Sequence, residues 1–235
     1  SHRLPIAEAA LSAGFEVHVA APHHDKSIEK IISSGIIFHD VPLKRGGRSL
    51  IGELKLILFY WKMIGLIRPD LIHAVTMKPI LYGGLVARIR RVPAVVHAVT
   101  GLGYLFLIDG IFANVQKYIV FSLFRIVFAH NNLRIIFQYS DDLNLFLNKK
   151  IMKNENYNII YGCGVDLNQF KFSPEPSKPT TILFPARIIG DKGVREFVDA
   201  ARIIKDKGLN AVFYIAGRMD SDNPTDIGEE LLNNW

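Results

Sequence analysis

The sequence predicts an α/β protein with parallel sheets in two domains, and three observations carry that prediction. Short β-rich runs alternate with stretches of helical periodicity along the whole chain. Glycine and proline punctuate the junctions between them. A passage with three prolines, Pro174, Pro176 and Pro179, separates a long first region from a short second one. Strands divided by helices cannot pair through hairpins, so they build a parallel sheet covered on both faces.

The elements follow in order. Residues 4–13 read as an amphipathic helix closed by Gly14, and 16–21 as a strand stopped by Pro22. A short helix over 27–34 ends at Gly35 and feeds a strand at 36–38. The loop Lys44-Arg45-Gly46-Gly47-Arg48-Ser49 precedes a long helix over 50–67, stopped by Pro69. A strand at 71–75, a helix over 80–90 and a strand at 94–99 come next. Residues 116–130 read as a helix, 134–138 and 158–161 as strands, and Asp141-Asp142 as a helix N-cap and first turn. A run at 181–184 leads through a loop to Gly193, which opens a helix with Val194, Phe197, Val198, Ala201 and Ile204 at helical spacing. A strand at 212–216 follows. The expected division is a first domain over 1–170, a linker over 171–179 and a second domain over 180–235. On this reading the first domain lacks its first strand and the second is only begun.

Composition narrows the function. A hydrophobic share of 49% with 21% charged residues describes a globular chain. The single Cys163 rules out a disulfide framework and a cysteine-based metal cluster. The net charge of +6 and pI near 9.4 admit phosphorylated ligands, anionic lipid or nucleic acid. The cations are spread along the chain with no nucleic-acid module, which sets nucleic acid aside. No uncharged run approaches the roughly 20 residues that span a bilayer, so an integral membrane protein is not expected. The segment 102–130 carries Phe106, Phe112, Phe121, Phe124 and Phe128 with Lys117 and Arg125 interspersed. Its default reading is a core helix, and its second is a surface that docks on an anionic bilayer. His23-His24-Asp25 looks like a metal cluster, but neighbours in one loop rarely converge on one ion.

Chemistry concentrates in Phe184-Pro185-Ala186-Arg187-Ile188-Ile189-Gly190-Asp191-Lys192-Gly193. Arg187, Lys192 and a helix N-terminus meet at the carboxyl end of a strand, an arrangement that suits a diphosphate. A basic loop before an ordinary surface helix is the plainer alternative. Other segments stand out: Ser1-His2-Arg3-Leu4-Pro5; His73-Ala74-Val75-Thr76-Met77-Lys78-Pro79; Val96-His97-Ala98-Val99-Thr100-Gly101-Leu102-Gly103; and Gly162-Cys163-Gly164-Val165-Asp166 running to Phe170.

Together these stretches resemble family-4 glycosyltransferases of GT-B fold, especially those that assemble bacterial capsule, O-antigen and lipid-linked oligosaccharides. The resemblance covers nearly the whole chain. It implies two Rossmann-like domains facing a cleft, with Arg187 and Lys192 gripping the diphosphate of a nucleotide sugar and Gly217 letting the base pack against the sheet edge. It places His2, Arg3, Lys78, Thr100 and Gly101 as acceptor-side or cleft candidates. Where many members carry a histidine before Gly101, this chain has Thr100, and His97 lies three residues earlier. The implied activity is retaining transfer of a sugar from a nucleotide diphosphate to a glycan or polyprenyl-linked acceptor, with no metal and no cofactor. The implied location is cytoplasmic, peripheral to the inner membrane face. The acidic motif of the family falls beyond Trp235, so no catalytic residue is assigned and this stretch alone is expected to be inactive. A sugar-nucleotide epimerase of the same fold and a non-catalytic glycan-assembly subunit are the rival readings.

Overall fold

The computed structural model describes residues 3–23, 25–42, 49–102, 110–152, 156–175, 179–221, 223 and 225–235. The chain divides into two compact units, Ser1–Gly164 and Val165–Trp235. That division comes ahead of the proline-rich 171–179 stretch, because the described residues from Tyr161 onward to Glu175 are already exposed.

The first unit opens with α1 (Leu4–Ser12), β1 (His18–Ala21), α2 (Asp25–Ser33) and β2 (Ile37–Asp40). β1 and β2 pair in parallel, Val19 opposite Phe38, as a two-stranded sheet. After α3 (Leu50–Ile67) comes a four-stranded parallel sheet of β3 (Leu71–Val75), β4 (Ala94–Val99), β5 (Leu133–Phe137) and β6 (Tyr157–Ile159), in that spatial order. Between the strands lie a π-helical turn (Pro79–Gly83) running into α4 (Gly84–Ile89), then α5 (Ile111–Phe128) and α6 (Ser140–Asn148). Phe146 of α6 sits at the centre of an aromatic core, 4.9 Å from Phe124 and 5.4 Å from Phe137 between ring centroids. Edge-to-face rings at such separations add to their area burial.

Two expectations need correction. Asp141 and Asp142 both lie in the first turn of α6, but the N-cap is Tyr139, whose extended backbone sets the chain's entry into the helix. Burial, then Asp141, raises the Asp142 carboxyl above its usual range. The segment read as a helix over 116–130 begins earlier, at Ile111, directly after Gly110. That helix is long and apolar enough to cross a membrane by length and composition, and only 28% of it is buried. It is not an uncharged run, since Lys117 and Arg125 lie within it. Phe121, Phe124 and Phe128 are core residues, whereas Ile111, Phe112, Val115, Tyr118 and Ile119 are exposed.

The second unit comprises β7 (Thr180–Phe184), a 3-10 turn (Gly190–Lys192), α7 (Val194–Asp206), β8 (Ala211–Ile215) and α8 (Glu229–Asn233). β7 and β8 are parallel, Phe184 opposite Ile215. α7 is strongly amphipathic; it buries Val194 and Val198 and sets Phe197 5.2 Å from Phe184 and 5.5 Å from Phe213.

Candidate functional site

In the first unit, Val75 of β3 stands opposite Ala98 of β4, so the carboxyl ends of the two strands lie side by side. That edge is where open parallel sheets bind ligands. Thr76 follows β3 with φ of 71°, a left-handed conformation that a β-branched residue rarely takes. Its N–H bonds the Ala98 carbonyl at 3.2 Å, which helps hold the strained turn in place. Lys78 comes next, then the π-helical turn, a departure from α-geometry often found near functional sites. Thr100 and Gly101 follow β4 on the same edge. The sequence candidates Lys78, Thr100 and Gly101 are thus brought together.

Lys78 is not a bare cation. Its Nζ donates to Glu53 Oε1 at 2.7 Å, and both side chains are more than two-thirds buried. Glu53, in the first turn of α3, also bonds Tyr82; burial and that bond push the phenol up to about 12. Arg3 precedes α1, near enough to His73 to add to the burial that lowers the imidazole pKa. His2 lies outside the described residues.

His97 points into the core instead of toward this edge. It is fully buried, stacked on Phe128 at 5.9 Å, and neither ring nitrogen has a hydrogen-bond partner. Burial first, then His130 and His73, lowers its pKa to about 3, so it stays neutral. It is a packing residue.

In the second unit the loop after β7 carries Arg187, and Lys192 ends the 3-10 turn immediately before α7. Gly193 caps α7 in the left-handed region, φ 80°, where glycine has no side-chain penalty. Arg187 Nη1 donates to Asp220 Oδ2. The Asp220 loop is stitched to the Arg187 loop elsewhere as well: Ile188 N–H bonds the Arg218 carbonyl at 3.0 Å, and Gly190 N–H bonds the Thr225 carbonyl at 2.7 Å. Gly217 has a role in this stitching. A Cβ there would fall 1.8 Å from the Ala186 carbonyl oxygen, so only glycine allows the two loops to cross. Lys192 is exposed on the 3-10 turn. The result is a loop pair offering a guanidinium, an ammonium and a helix N-terminus at the end of a parallel strand, chemistry that matches a diphosphate.

Glu53 and Asp220 were missed by sequence reasoning. A lone carboxylate in the apolar run 50–67 was a signal for Glu53. Nothing local marked Asp220, whose partner is 33 residues away. Among the described residues, no group of three or more His, Cys, Asp or Glu is placed to hold a metal ion. His23 faces Asp40 at 3.7 Å, and His24 lies outside the described residues.

The family description "glycosyl transferase 4-like" matches residues 1–140, which contain the whole β3–β4 edge and its partners. The chain belongs to the glycosyl transferase 4-like family. Among curated members of similar sequence, N,N'-diacetylbacillosaminyl-diphospho-undecaprenol alpha-1,3-N-acetylgalactosaminyltransferase of Campylobacter jejuni is 26% identical over 98% of this chain and 63% of its own length. The capsular polysaccharide biosynthesis glycosyltransferase CapM of Staphylococcus aureus is 27% identical over 83% of this chain and 53% of its own. The chain therefore spans less than two thirds of the length of these relatives. Its fold is that of GT-B proteins. Sucrose-phosphate synthase from Thermosynechococcus elongatus superposes with a TM-score of 0.63 at 14% identity, covering 98% of this chain and 59% of that one. S. aureus MnaA in its complex with UDP gives 0.60 at 14% identity, covering 94% and 60%.

Proposed function

We propose that this family member takes part in retaining, metal-independent transfer of a sugar from a nucleoside diphosphate to a glycan on a polyprenyl diphosphate. In that reaction the bond between the sugar's anomeric carbon and the diphosphate breaks. The acceptor oxygen bonds the same carbon and passes its proton to the leaving diphosphate, on which negative charge collects as the old bond breaks. Arg187, part of whose charge Asp220 already matches, would meet that charge together with Lys192 and the α7 N-terminus. This grouping is the observation that carries the reading. The nature of the C. jejuni relative supports a lipid-linked acceptor, and the UDP in the MnaA complex supports a uridine nucleotide.

On the acceptor side, the β3–β4 edge offers Thr76, Thr100, Gly101 and the Lys78–Glu53 pair, with Arg3 near His73. A lipid-linked acceptor and the exposed apolar face of α5 favour peripheral contact with the inner, anionic face of a membrane from the cytoplasmic side.

An epimerase reading has the fold in its favour but not the family, and both curated relatives are transferases. Calorimetric titration of full-length protein with UDP tests the assignment. Arg187→Ala and Lys192→Ala are each expected to cost about 1.5–3 kcal/mol of binding. Unchanged affinity in both variants would remove the diphosphate site.

A further inference from the structure

The geometry points to the outer face of α3 as a docking surface for an anionic phospholipid bilayer. It rests on the reading of peripheral membrane contact, not on that of sugar transfer. α3 turns Leu56, Tyr60 and Ile64 into the core. Its outward side carries Ile51, Leu54 and Leu58, all three exposed, and Trp61 continues the row. These positions recur every three or four residues, so they form one continuous stripe. A helix in water has no reason to present such a row of aliphatic side chains outward unless something apolar covers it.

Charge decides what covers it. Lys55 and Lys62 border the stripe on one side and are exposed. At the end of the stripe Trp61 lies under the Arg90 guanidinium, 4.0 Å from the ring centroid. Arg90 also crosses Gly65, where a Cβ would come within 2.7 Å of its guanidinium carbon. Past the end of the helix, Arg68, Arg90 and Arg91 line a hollow of about 280 Å³. The one acid of α3, Glu53, is turned away and paired with Lys78, and Asp70 is the nearest other carboxylate in sequence. Aliphatic centre, lysine border, interfacial tryptophan and an arginine hollow suited to phosphate together describe a helix lying in a bilayer interface. Glu53, Lys55 and Lys62 within the helix suit a position on the membrane more than across it. A protein partner would have to be acidic along the rim and apolar at the centre. An anionic bilayer has both properties over any area.

The test uses full-length protein in which Trp235, and any tryptophan outside these 235 residues, is changed to Phe, which leaves Trp61 as the single reporter. It is mixed at low salt with phosphatidylcholine vesicles with or without phosphatidylglycerol. Trp61 emission should shift to the blue and be quenched by brominated acyl chains only when phosphatidylglycerol is present. Leu54→Glu with Leu58→Glu should abolish sedimentation with those vesicles. Lys55→Gln and Lys62→Gln, which leave the apolar stripe intact, should each weaken it about fivefold. UDP titration should be unchanged in all of them. Vesicle binding that survives the α3 substitutions overturns the α3 assignment while leaving membrane contact standing. Absence of vesicle binding overturns both, with UDP titration still judging the transfer reading. A concentration-dependent dimer that the Glu substitutions dissociate, without Trp61 quenching, would give the face to a second copy instead.

Discussion

Arg187 and Lys192 look equivalent in sequence and are not equivalent in the fold. Arg187 is tied to Asp220, so part of its charge is already matched before any ligand arrives. Lys192 has no such neighbour in its own turn except Asp191. Lys192→Ala should therefore weaken UDP binding more than Arg187→Ala. Asp220→Asn, which keeps an acceptor but drops the competing charge, should tighten binding a few-fold. Weaker binding on calorimetry would mean that Asp220 chiefly orients the guanidinium. Gly217 permits a different kind of prediction. Because an added Cβ would strike the Ala186 carbonyl, Gly217→Ala must displace the Arg187 loop. About 2–3 kcal/mol of stability and much of the UDP affinity should be lost together. A variant with wild-type urea midpoint would show that the loop relaxes freely. The sequence reading assigned Gly217 to the nucleotide base. The backbone crossing supplies a separate reason for glycine that no local pattern reveals.

At the scale of elements, β3, β4 and α3 were legible to the residue, because Pro69 and Pro93 bracket runs of unmistakable period. The π-helical turn, the 3-10 turn and α8 were not, since pieces of three to five residues carry no periodicity to read. The Glu53–Lys78 pair joins α3 to the helix after β3 across 25 residues, again with no local trace. Lys78→Met should leave the Glu53 carboxylate mostly buried without its cation and cost about 2 kcal/mol. Adding Glu53→Gln should recover most of that loss, a coupling that a double-mutant cycle measures. β4 carries the pH-sensitive group of the first unit. The unfolded chain takes a proton on His97 near pH 6.5, whereas the folded chain refuses it until about pH 3. Stability is thus full above pH 6.5 and falls as the pH drops below it, by up to about 1.4 kcal/mol per pH unit. The lowered pKa of His73 acts in the same direction. His97→Leu should flatten the dependence of the urea midpoint between pH 7.5 and 5. An unaltered slope would assign the acid sensitivity to other groups.

For the whole molecule, the α/β class followed from alternation, and the family followed from motif stretches, of which those at 1–5, 73–79 and 96–103 lie within the matched residues 1–140 and those at 162–170 and 184–193 lie outside them. What the sequence left open was which charges would be free and which already spent on the protein itself. Lys78 is engaged within the first unit and Arg187 within the second, and a net charge of +6 gives no hint of either pairing. That accounting bears on the metal question. A divalent ion at a diphosphate supplies positive charge and needs oxygen ligands, usually carboxylates, held by the protein. Near the proposed diphosphate position, Asp220 is occupied by Arg187, and Asp226 Oδ1 accepts the Asp220 N–H at 3.3 Å. On the proposed reading the positive charge there would come instead from Arg187, Lys192 and the α7 N-terminus, without an ion. UDP affinity and transfer by the full-length protein should therefore survive a chelator within about twofold, while rising salt weakens nucleotide binding by screening exposed Lys192. Activity that vanished with chelator and returned with magnesium or manganese would require a carboxylate set outside this pair of loops and would overturn the cation-based account.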